Sequence, residues 1–597
     1  MNEPVRLVIW DLDETYWRGT LTEGGIKEYV QAHHDIVIEL AKRGIMSSIC
    51  SKNDMGSVMP ILQAREIADY FIFPSISWEP KGIRVAQIIE TVQLRPATVL
   101  FIDDNPNNLA EARAITPGLQ TEDETFLAQI LDDPRFKGKD DRGLTRLQQY
   151  KLLETKNHDW TKAGSNNEEF LRSCDVRVQI DYDIEVNIDR AIELINRTNQ
   201  LNYTKRRLPD DIEEARRILR AEMSHFNRQA GLIRVADKYG DYGYIGFFLA
   251  QNDLSSEKDG LNLRLLDFCF SCRTLGMLVE KWVYDHLGKP VLTVSGDVLT
   301  DLAVDRKIDW VRLVDTLEDD GRLVQAVAPE IRLLGGCEAN SVSVYLSAAT
   351  DKIRVNSNFA AGSLFLRVNS VSFLVSAAER CHEEFGQEAR AMDLPFNLMA
   401  FNYFADAPQG TIFVLNNSLD APRWYPRYYH KKHGWEVICE PHGTWSIDLT
   451  IDTDQEILSK KSDAVRSEQV PHLLKVASHM RKNYRRGFRS DNATVMQQMN
   501  ELIEKVPAGS KLIFLQDDIR TRAGDGKIQT LDYLSEFNEM VRNLASDFSY
   551  VGIVSFADAI HDESEIQIGG NHYDRLVYFR AAQDVLKIAA KLTPKEG

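Results

Sequence analysis

The feature that most constrains this chain is a pair of aspartates, Asp11 and Asp13, set directly after the short apolar run 5–10 (VRLVIW). A run of this length, rich in β-branched and aromatic residues, predicts a buried strand. Similar runs occupy 45–50 (IMSSIC) and 97–102 (ATVLFI), and apolar residues at helical spacing fill 26–43 and 83–92. Strands alternating with helices of this length predict a parallel, doubly wound α/β sheet. Such sheets bind ligands at the carboxyl ends of their strands, and Asp11 and Asp13 emerge at that edge. Ser51 follows the second run, Lys81 lies in the turn Trp78-Glu79-Pro80-Lys81-Gly82, and Asp103-Asp104 end the third.

Each of these residue types suits phosphoryl transfer. A carboxylate nucleophile and a phosphate dianion repel, so the site needs a hard cation held by oxygens and further positive charge. Asp11 is placed to attack phosphorus, and Asp13, leaving the strand in another direction, to serve as acid and base. Ser51 suits a hydrogen bond to a phosphoryl oxygen, and Lys81 offsets charge on phosphate and nucleophile. Asp11 and Asp103 suit magnesium, with Asp104 in support. Phosphate monoester hydrolysis requires acceleration on the order of 10²¹. Positioning supplies roughly 7–11 kcal/mol, so metal and lysine carry much of the rest. Taken alone, DxDxT is also a turn or helix-cap signature; the four elements in order argue for chemistry.

In these four motifs the chain resembles the haloacid dehalogenase (HAD) superfamily. The resemblance implies a HAD-like phosphatase domain over 1–130, with Mg2+ held by Asp11, Asp103 and the main-chain carbonyl of Asp13. Neither the interval from Asp11 to Ser51 nor that from Ser51 to Lys81 has room for a large cap domain. An open site favours a phosphate carried on something bulky, or a partner domain acting as the lid.

At 597 residues the chain exceeds one core, and about 150 residues per domain suggests three or four domains. The polar stretch 131–165 reads as a helical linker. A net charge of −18 argues against nucleic-acid binding. No apolar run is long enough for a membrane span, and the N-terminus lacks the pattern of a signal peptide. The seven cysteines are sparse, which predicts reduced thiols and a cytoplasmic protein. Cys269 and Cys272 form a CxxC with no second ligand pair at zinc spacing. The basic run 481–489 (RKNYRRGFR) reads either as a solvated helix end or as a docking patch for an acidic carrier. His430 and His433 have metal-like spacing, but the lysines between them suggest a solvated loop; His33 and His34 read as structural.

Residues 166–310 form a second α/β block. A helix is expected over 184–197, strands over 233–236 and 244–250 around the turn DKYGDYG, and a strand over 263–270 leading into a helix over 275–287. Cys272 precedes that helix beside Arg273, where helix dipole and guanidinium favour a thiolate. Arg273-x-x-Gly276 at the same helix start resembles the pyrophosphate loop of acyl-CoA-dependent acetyltransferases, which implies that backbone N–H groups there hold a phosphopantetheine phosphate and that the polar turn residues Asn199, Gln200, Asp237 and Asp241 line an acyl pocket. The plain alternative for Cys272 is a small buried hydrophobe. The segments INRTNQLNYTKRRL (195–208), ADKYGDYGYIG (236–246) and FCFSCRTLGMLVE (268–280) resemble the FkbH-like proteins, over roughly residues 5–290. That resemblance implies a GNAT-like, acetyltransferase-type fold. It further implies a glyceryl group taken from 1,3-bisphosphoglycerate, held as a thioester on Cys272 and passed to the phosphopantetheine of an acyl carrier protein. The motif here reads DLDETYWRGTLTEGG where relatives carry asparagine before the threonine, so Glu14, Tyr16 and Trp17 bear on which acyl group is accepted.

The third block, 325–597, opens with a strand over 331–334 and the break Gly335-Gly336-Cys337. Further strands are expected over 410–415, 511–515 and 550–555, and a last helix over 576–591. This layout resembles the SGNH hydrolases. The resemblance implies Cys337 in the nucleophile's place, His572 as its base, and Asn416 or Asn417 as oxyanion donor. Gly569 stands where the family has an acid, which leaves Asp558 to orient the histidine. The block is then either an acyltransferase acting on the final acceptor or an inactive relative that binds. The whole chain is expected to be α/β: a HAD-type doubly wound parallel sheet, a GNAT-like domain and an SGNH-like domain. Its function is expected to be that of a magnesium-dependent phosphatase and acyltransferase using a phosphorylated small-molecule donor and an acyl carrier protein. The alternative is a plain phosphatase acting on a sugar- or carrier-linked phosphate.

Overall fold

A computed structural model describes residues 3–568 and 572–596, apart from 164–166, 253–262, 315, 318–327, 347–349, 351, 358, 362, 376–381, 394–402, 422–425, 442–443, 445 and 489. The first sheet contains β1 (Leu7–Trp10), β2 (Met46–Ser51), β3 (Ser75–Ile76), β4 (Val99–Ile102) and β5 (Gln120–Glu122) in the order β3-β2-β1-β4-β5. All its pairings are parallel. Successive strand residues point to opposite faces, so β1 feeds two cores. Val8 and Trp10 pack with Ile36, Val37 and Leu40 of α1 (Gln31–Lys42) and with Val58 and Leu62 of α2 (Met55–Ala64). Leu7 and Ile9 pack with Val85, Ile88 and Ile89 of α3 (Lys81–Val92) and with Leu109 and Ala112 of α4 (Pro106–Ile115). Each fully buried side chain of this kind contributes about 1.5–3 kcal/mol. Helices cover both faces, which is why β1 is apolar throughout.

Residues 131–156 of the expected linker pack onto this domain. Phe136 is fully buried, Arg43 Nη1 donates to the carbonyls of Leu131 and Phe136, and α5 (Thr145–Ala163) sends Leu147 into the α3/α4 core. Along α5, Lys151 donates to the carbonyl of Phe71 and Glu154 accepts from the N–H of Phe73. So few of its residues are apolar that its composition reads as solvated.

By its internal contacts the chain divides into one compact unit of residues 1–176 with 236–242 and another of 177–235 with 243–597. The expected second and third blocks therefore share one unit. In the first unit Asp237 is buried, and its carboxylate accepts from Lys156 Nζ (3.0 Å), Tyr242 Oη (2.8 Å) and the N–H of Tyr239 (2.9 Å).

After α6 (Asn167–Ser173) comes a six-stranded sheet of β6 (Val176–Asp181), β7 (Leu201–Asn202), β8 (Arg228–Asp237), β9 (Gly240–Asn252), β10 (Leu263–Phe270) and β11 (Val311–Leu313), ordered β11-β6-β8-β9-β10-β7. β10 runs antiparallel to β9 and β7. The helices α7 (Ile188–Arg197) and α8 (Ile212–Met223) bury Ile192, Ile195 and Leu219 with Cys269 on one face. Beyond α9 (Val279–His286) the chain returns alongside β10 through a parallel bridge between Arg264 and Val291.

The C-terminal block holds a second all-parallel sheet. Its strands are β12 (Ile331–Gly335), β13 (Ile353–Ser357), then, past β14 (Phe359–Ala361) and β15 (Leu364–Arg367), β16 (Ile412–Leu415). Past β17 (Arg427–His430), β18 (Glu436–Pro441) and β19 (Tyr484–Gly487) come β20 (Lys511–Gln516) and, after the hairpin of β21 (Arg520–Arg522) and β22 (Ile528–Thr530), β23 (Val551–Ser555). The parallel order is β13-β12-β16-β20-β23. A separate five-stranded sheet, β14-β15-β18-β17-β19, is interposed in the sequence and was not anticipated as a sheet of its own. Gly335 ends β12 because a Cβ there would lie 2.9 Å from the Cβ atoms of both Ala339 and Asn416. Among the described residues no helix is long and apolar enough to cross a membrane.

Lys156→Met leaves the buried Asp237 carboxylate without its cation. It is expected to cost about 3–5 kcal/mol, read as a lower midpoint in urea unfolding.

Candidate active site

At the carboxyl edge of the first sheet, Asp11, Asp103 and Asp104 each bring a carboxylate oxygen within 4.8 Å of the others. Lys81, the first residue of α3, reaches between two of them: its Nζ is 2.6 Å from Asp11 Oδ1 and 2.7 Å from Asp103 Oδ2. Lys81, Asp11 and Asp103 are 3%, 4% and 0% exposed, so water screens these charges little. Burial pushes the Asp11 carboxyl up to about 7, Lys81 opposes this and Asp103 adds to it. Burial alone would lower the Lys81 ammonium, but Asp11 and Asp103 more than reverse that. Burial and Asp103 together raise Asp104. One ammonium among three carboxylates leaves the cluster net negative. Hard oxygen donors in that state suit a divalent cation such as magnesium.

The surrounding residues fix these groups. Asp103 accepts from the N–H of Asn105 (2.9 Å) and from Asn108 Nδ2 (2.9 Å). Thr15 Oγ1 accepts from the N–H of Asp104 (3.0 Å), tying the first motif to the fourth. Ser51 is buried at the end of β2, where Arg84 Nη1 donates to its carbonyl and to that of Ser75. Asp13 Oδ1 accepts from Trp17 Nε1 (2.8 Å) and the N–H of Leu21 (3.1 Å), and its Oδ2 from Asn53 Nδ2 (3.0 Å). The same Asn53 Nδ2 donates to Ser51 Oγ (3.1 Å). Three donors thus hold the Asp13 carboxylate, which is not one of the three gathered in the acidic trio. Sequence reasoning missed Asn53 and Arg84; the signal for Asn53 was its place two residues beyond Ser51, past the strand end. Tyr16 and Trp17, expected to bear on the acyl group, are fully buried. Tyr16 packs edge-on against Trp10 and Phe71, and Trp17 holds Asp13.

In the second block the structure joins Cys272 and Gln200: the thiol donates to Gln200 Oε1 at 3.3 Å. The expected thiolate environment is not realised. Cys272 lies in a single 3-10 turn, and α9 starts only at Val279, beyond Gly276 at φ +81° and Leu278 at φ +58°. Burial, with Glu280 adding, pushes the thiol up. Asn199 accepts from Lys205 Nζ, and the N–H of Arg273 donates to Ser271 Oγ at 3.4 Å. Asp237 is committed to Lys156 and, with Asp241, belongs to the other compact unit. Cys269 is buried in the α7/α8 core, as expected.

In the third block Cys337 opens α10 (Cys337–Leu346) directly after β12, and burial, with Glu338 adding, pushes its thiol up to about 12. Cys337 and His572 are not hydrogen-bonded to each other; the His572 ring stacks on Phe226, centroids 4.0 Å apart. Asn416 Nδ2 donates to Asp517 Oδ1 (2.9 Å) and the carbonyl of Leu515 (3.1 Å), so this amide is already committed. Asn417 Nδ2 is buried without a partner. Asp558 is exposed and does not bond His572. Beside Cys337, Glu338 is buried and pushed up to about 8 by burial, with Asp517 adding. His430 and His433 stack on Trp435, and His430 Nδ1 accepts from the N–H of His433, which makes them part of an aromatic stack. His33 Nδ1 bonds the carbonyl of Tyr16 and His34 Nδ1 the hydroxyl of Tyr29. In the basic run Arg481 pairs with Asp454 and Arg486 with Asp448. Cys381, Arg489 and Gly569 lie outside the described residues.

No protein-family model matches this chain, and no curated protein matches it. Among solved structures it is similar to the N-terminal part of protein BF1531 from Bacteroides fragilis, which contains a phosphatase domain complexed with Mg. That match has 24% identity and a TM-score of 0.19, and covers 24% of this chain and 40% of that one. An uncharacterized protein from Corynebacterium glutamicum matches at 18% identity and a TM-score of 0.18, over 23% of this chain and 98% of its own. The 3-deoxy-D-manno-octulosonate 8-phosphate phosphatase of Moraxella catarrhalis, in complex with magnesium, phosphate and KDO, matches at 11% identity and a TM-score of 0.16, over 27% of this chain and 94% of its own.

Lys81→Met strands two buried carboxylates and is expected to cost about 3–5 kcal/mol, read by urea unfolding. Glu338 has a raised folded-state pKa, so its contribution to stability is present below 4.5 and is lost as pH rises towards 8. Glu338→Gln should therefore narrow the difference between the urea midpoints at those two pH values.

Proposed function

We propose that this chain is a magnesium-dependent phosphatase of the aspartate-nucleophile type that also carries an acyl group on a cysteine. The single observation behind the phosphatase reading is the Asp11–Asp103–Asp104 triangle pinned by Lys81 at a parallel sheet's carboxyl edge. Asp11, Asp103 and the main-chain carbonyl of Asp13 would hold magnesium, with Asp104 in support. When bound, the metal supplies charge neutralisation that lets a carboxylate approach a phosphate dianion. Asp11 attacks phosphorus, while Asp13, oriented by Trp17, Leu21 and Asn53, protonates the leaving oxygen and then takes a proton from water. Ser51 and Lys81 bind phosphoryl oxygens.

For the second half of the reading, Cys272 holds a glyceryl or similar acyl group from 1,3-bisphosphoglycerate and passes it to the phosphopantetheine of an acyl carrier protein. The family motifs around 195–208, 236–246 and 268–280 support this. So does the return of the chain parallel to β10 after α9, which suits a GNAT-like fold. The parallel order β13-β12-β16-β20-β23 suits the SGNH-like assignment, with Cys337 at its ligand edge. A plain phosphatase is the second reading, and the raised thiols of Cys272 and Cys337 favour it.

Asp11→Asn should abolish phosphate release while leaving the urea midpoint near that of the wild type. Chelation by EDTA should do the same, reversed by added magnesium. Cys272→Ala should retain phosphate release and lose the acyl adduct that intact-protein mass spectrometry detects after incubation with 1,3-bisphosphoglycerate. Phosphate release without any adduct in the wild type would leave the plain phosphatase standing.

A further inference from the structure

The end of β10 away from Cys272 borders a cleft of about 210 Å³, its mouth included, between the six-stranded sheet and α10. β9 and β10 pair Asn252 with Leu263 at this end and Gly246 with Phe270 at the other. At about 3.4 Å per residue, Cys272 is roughly 25 Å away. Arg228 and Gln229 of β8, Asn252 of β9, and Ser341 and Tyr345 of α10 line the cleft. Its walls are fixed: the N–H of Asn252 donates to the carbonyl of Asn227 (2.8 Å), and Ser341 Oγ to that of Phe226 (3.1 Å). Five buried polar atoms here have no hydrogen-bond partner among the described residues: Arg228 Nε and Nη1, Gln229 Nε2 and Oε1, and Asn252 Nδ2. Gln229 is 3% exposed and Asn252 6%, and bare polar groups at such depth are costly. The guanidinium also wants a counter-charge. Glu222, the carboxylate whose charge reaches it, is taken by Arg206 at 2.7 Å.

We propose that this cleft binds a small oxyanion that also carries an O–H, hydrogen phosphate or a short hydroxy acid, against Arg228, Gln229 and Asn252. Four of the five bare atoms donate, and two of those belong to a cation, a set that answers negatively charged oxygens. Gln229 Oε1 is the one acceptor, and a hydroxyl on the ligand answers it. Water alone supplies hydrogen bonds but leaves the guanidinium without an anion. Sites for drug-sized ligands run from about 300 to 1,000 Å³, so a cleft of this size takes a few heavy atoms and excludes nucleotides and lipid chains. None of these residues serves the proposed phosphoryl or acyl chemistry, and the site stands or falls apart from it. Its donors come from β8 and β9 and its far wall from α10, so an occupant ties the six-stranded sheet to the helix that Cys337 opens.

The test uses the full-length protein in EDTA, with sodium phosphate, sodium lactate and sodium chloride compared at equal ionic strength. A ligand that binds only the folded chain raises the urea midpoint as its concentration rises. The wild-type midpoint should climb with phosphate or with lactate beyond its climb in chloride, and the more effective of the two tells which anion the cleft takes. Arg228→Gln should weaken binding of that anion by roughly 10–100-fold, measured by titration calorimetry. Its midpoint in chloride should stay at or above the wild-type value, because the lost cation had no counter-charge to give up. A rise that is equal in wild type and variant is a general effect of the salt on folding and overturns the proposal, as does no rise above chloride with either anion. Should Arg228→Gln not fold, Gln229→Met takes its place. It removes both bare amide atoms and should weaken binding of the same anion, and an unchanged affinity overturns the proposal.

Discussion

One ammonium, Lys81 Nζ, lies between the carboxylates of Asp11 and Asp103, and much of the first domain is arranged around that contact. Three charged groups at this depth are tolerable only in combination, because any one of them left alone in a low-dielectric interior is strongly unfavourable. The chain meets that demand through topology. β1 and β4 are adjacent and parallel, so Asp11 and Asp103 leave the sheet side by side, and the turn before α3 delivers Lys81 to the same edge. With a third carboxylate on Asp104, the cluster stays short of positive charge.

The two parallel sheets use the same device with different side chains. In the first, the residues at the strand ends are acidic and gathered around one lysine. In the C-terminal sheet the corresponding edge carries Gly335, Cys337, Asn416 and Asp517, and there the amide of Asn416 is spent on Asp517. Open α/β sheets place ligands at this edge, and in the first sheet it gathers three carboxylates and a lysine.

The parts of the fold legible in the sequence were those written in local periodicity. The strand at 263–270 matches β10 residue for residue, and the strand ends bearing Asp11, Ser51 and Asp103 fell where the apolar runs stopped. What stayed hidden depended on long-range contacts. Asn53 stands close after Ser51, but its role as the bridge from Ser51 to Asp13 depends on a contact between two different motifs. The interposed antiparallel sheet runs through short strands with no repeating alternation to reveal it. The environment of Cys272 was misread because its helix was expected a turn earlier; the left-handed Leu278 delays α9 and moves the dipole away from the sulfur. Helix α5 falls in the stretch expected to be helical, and a few apolar contacts among its many polar residues pack it against the first domain.

The buried pair of Lys156 and Asp237 also bears on how the protein is divided. Asp237 lies at the tip of a hairpin whose strands continue into the larger compact unit, yet residues 236–242 are counted with the smaller one. The smaller unit is therefore discontinuous along the gene. No single cut releases it whole, because every fragment ending before the hairpin would leave a lysine buried without its counter-charge. A fragment meant to hold the whole smaller unit has to carry the hairpin residues 236–242 with it.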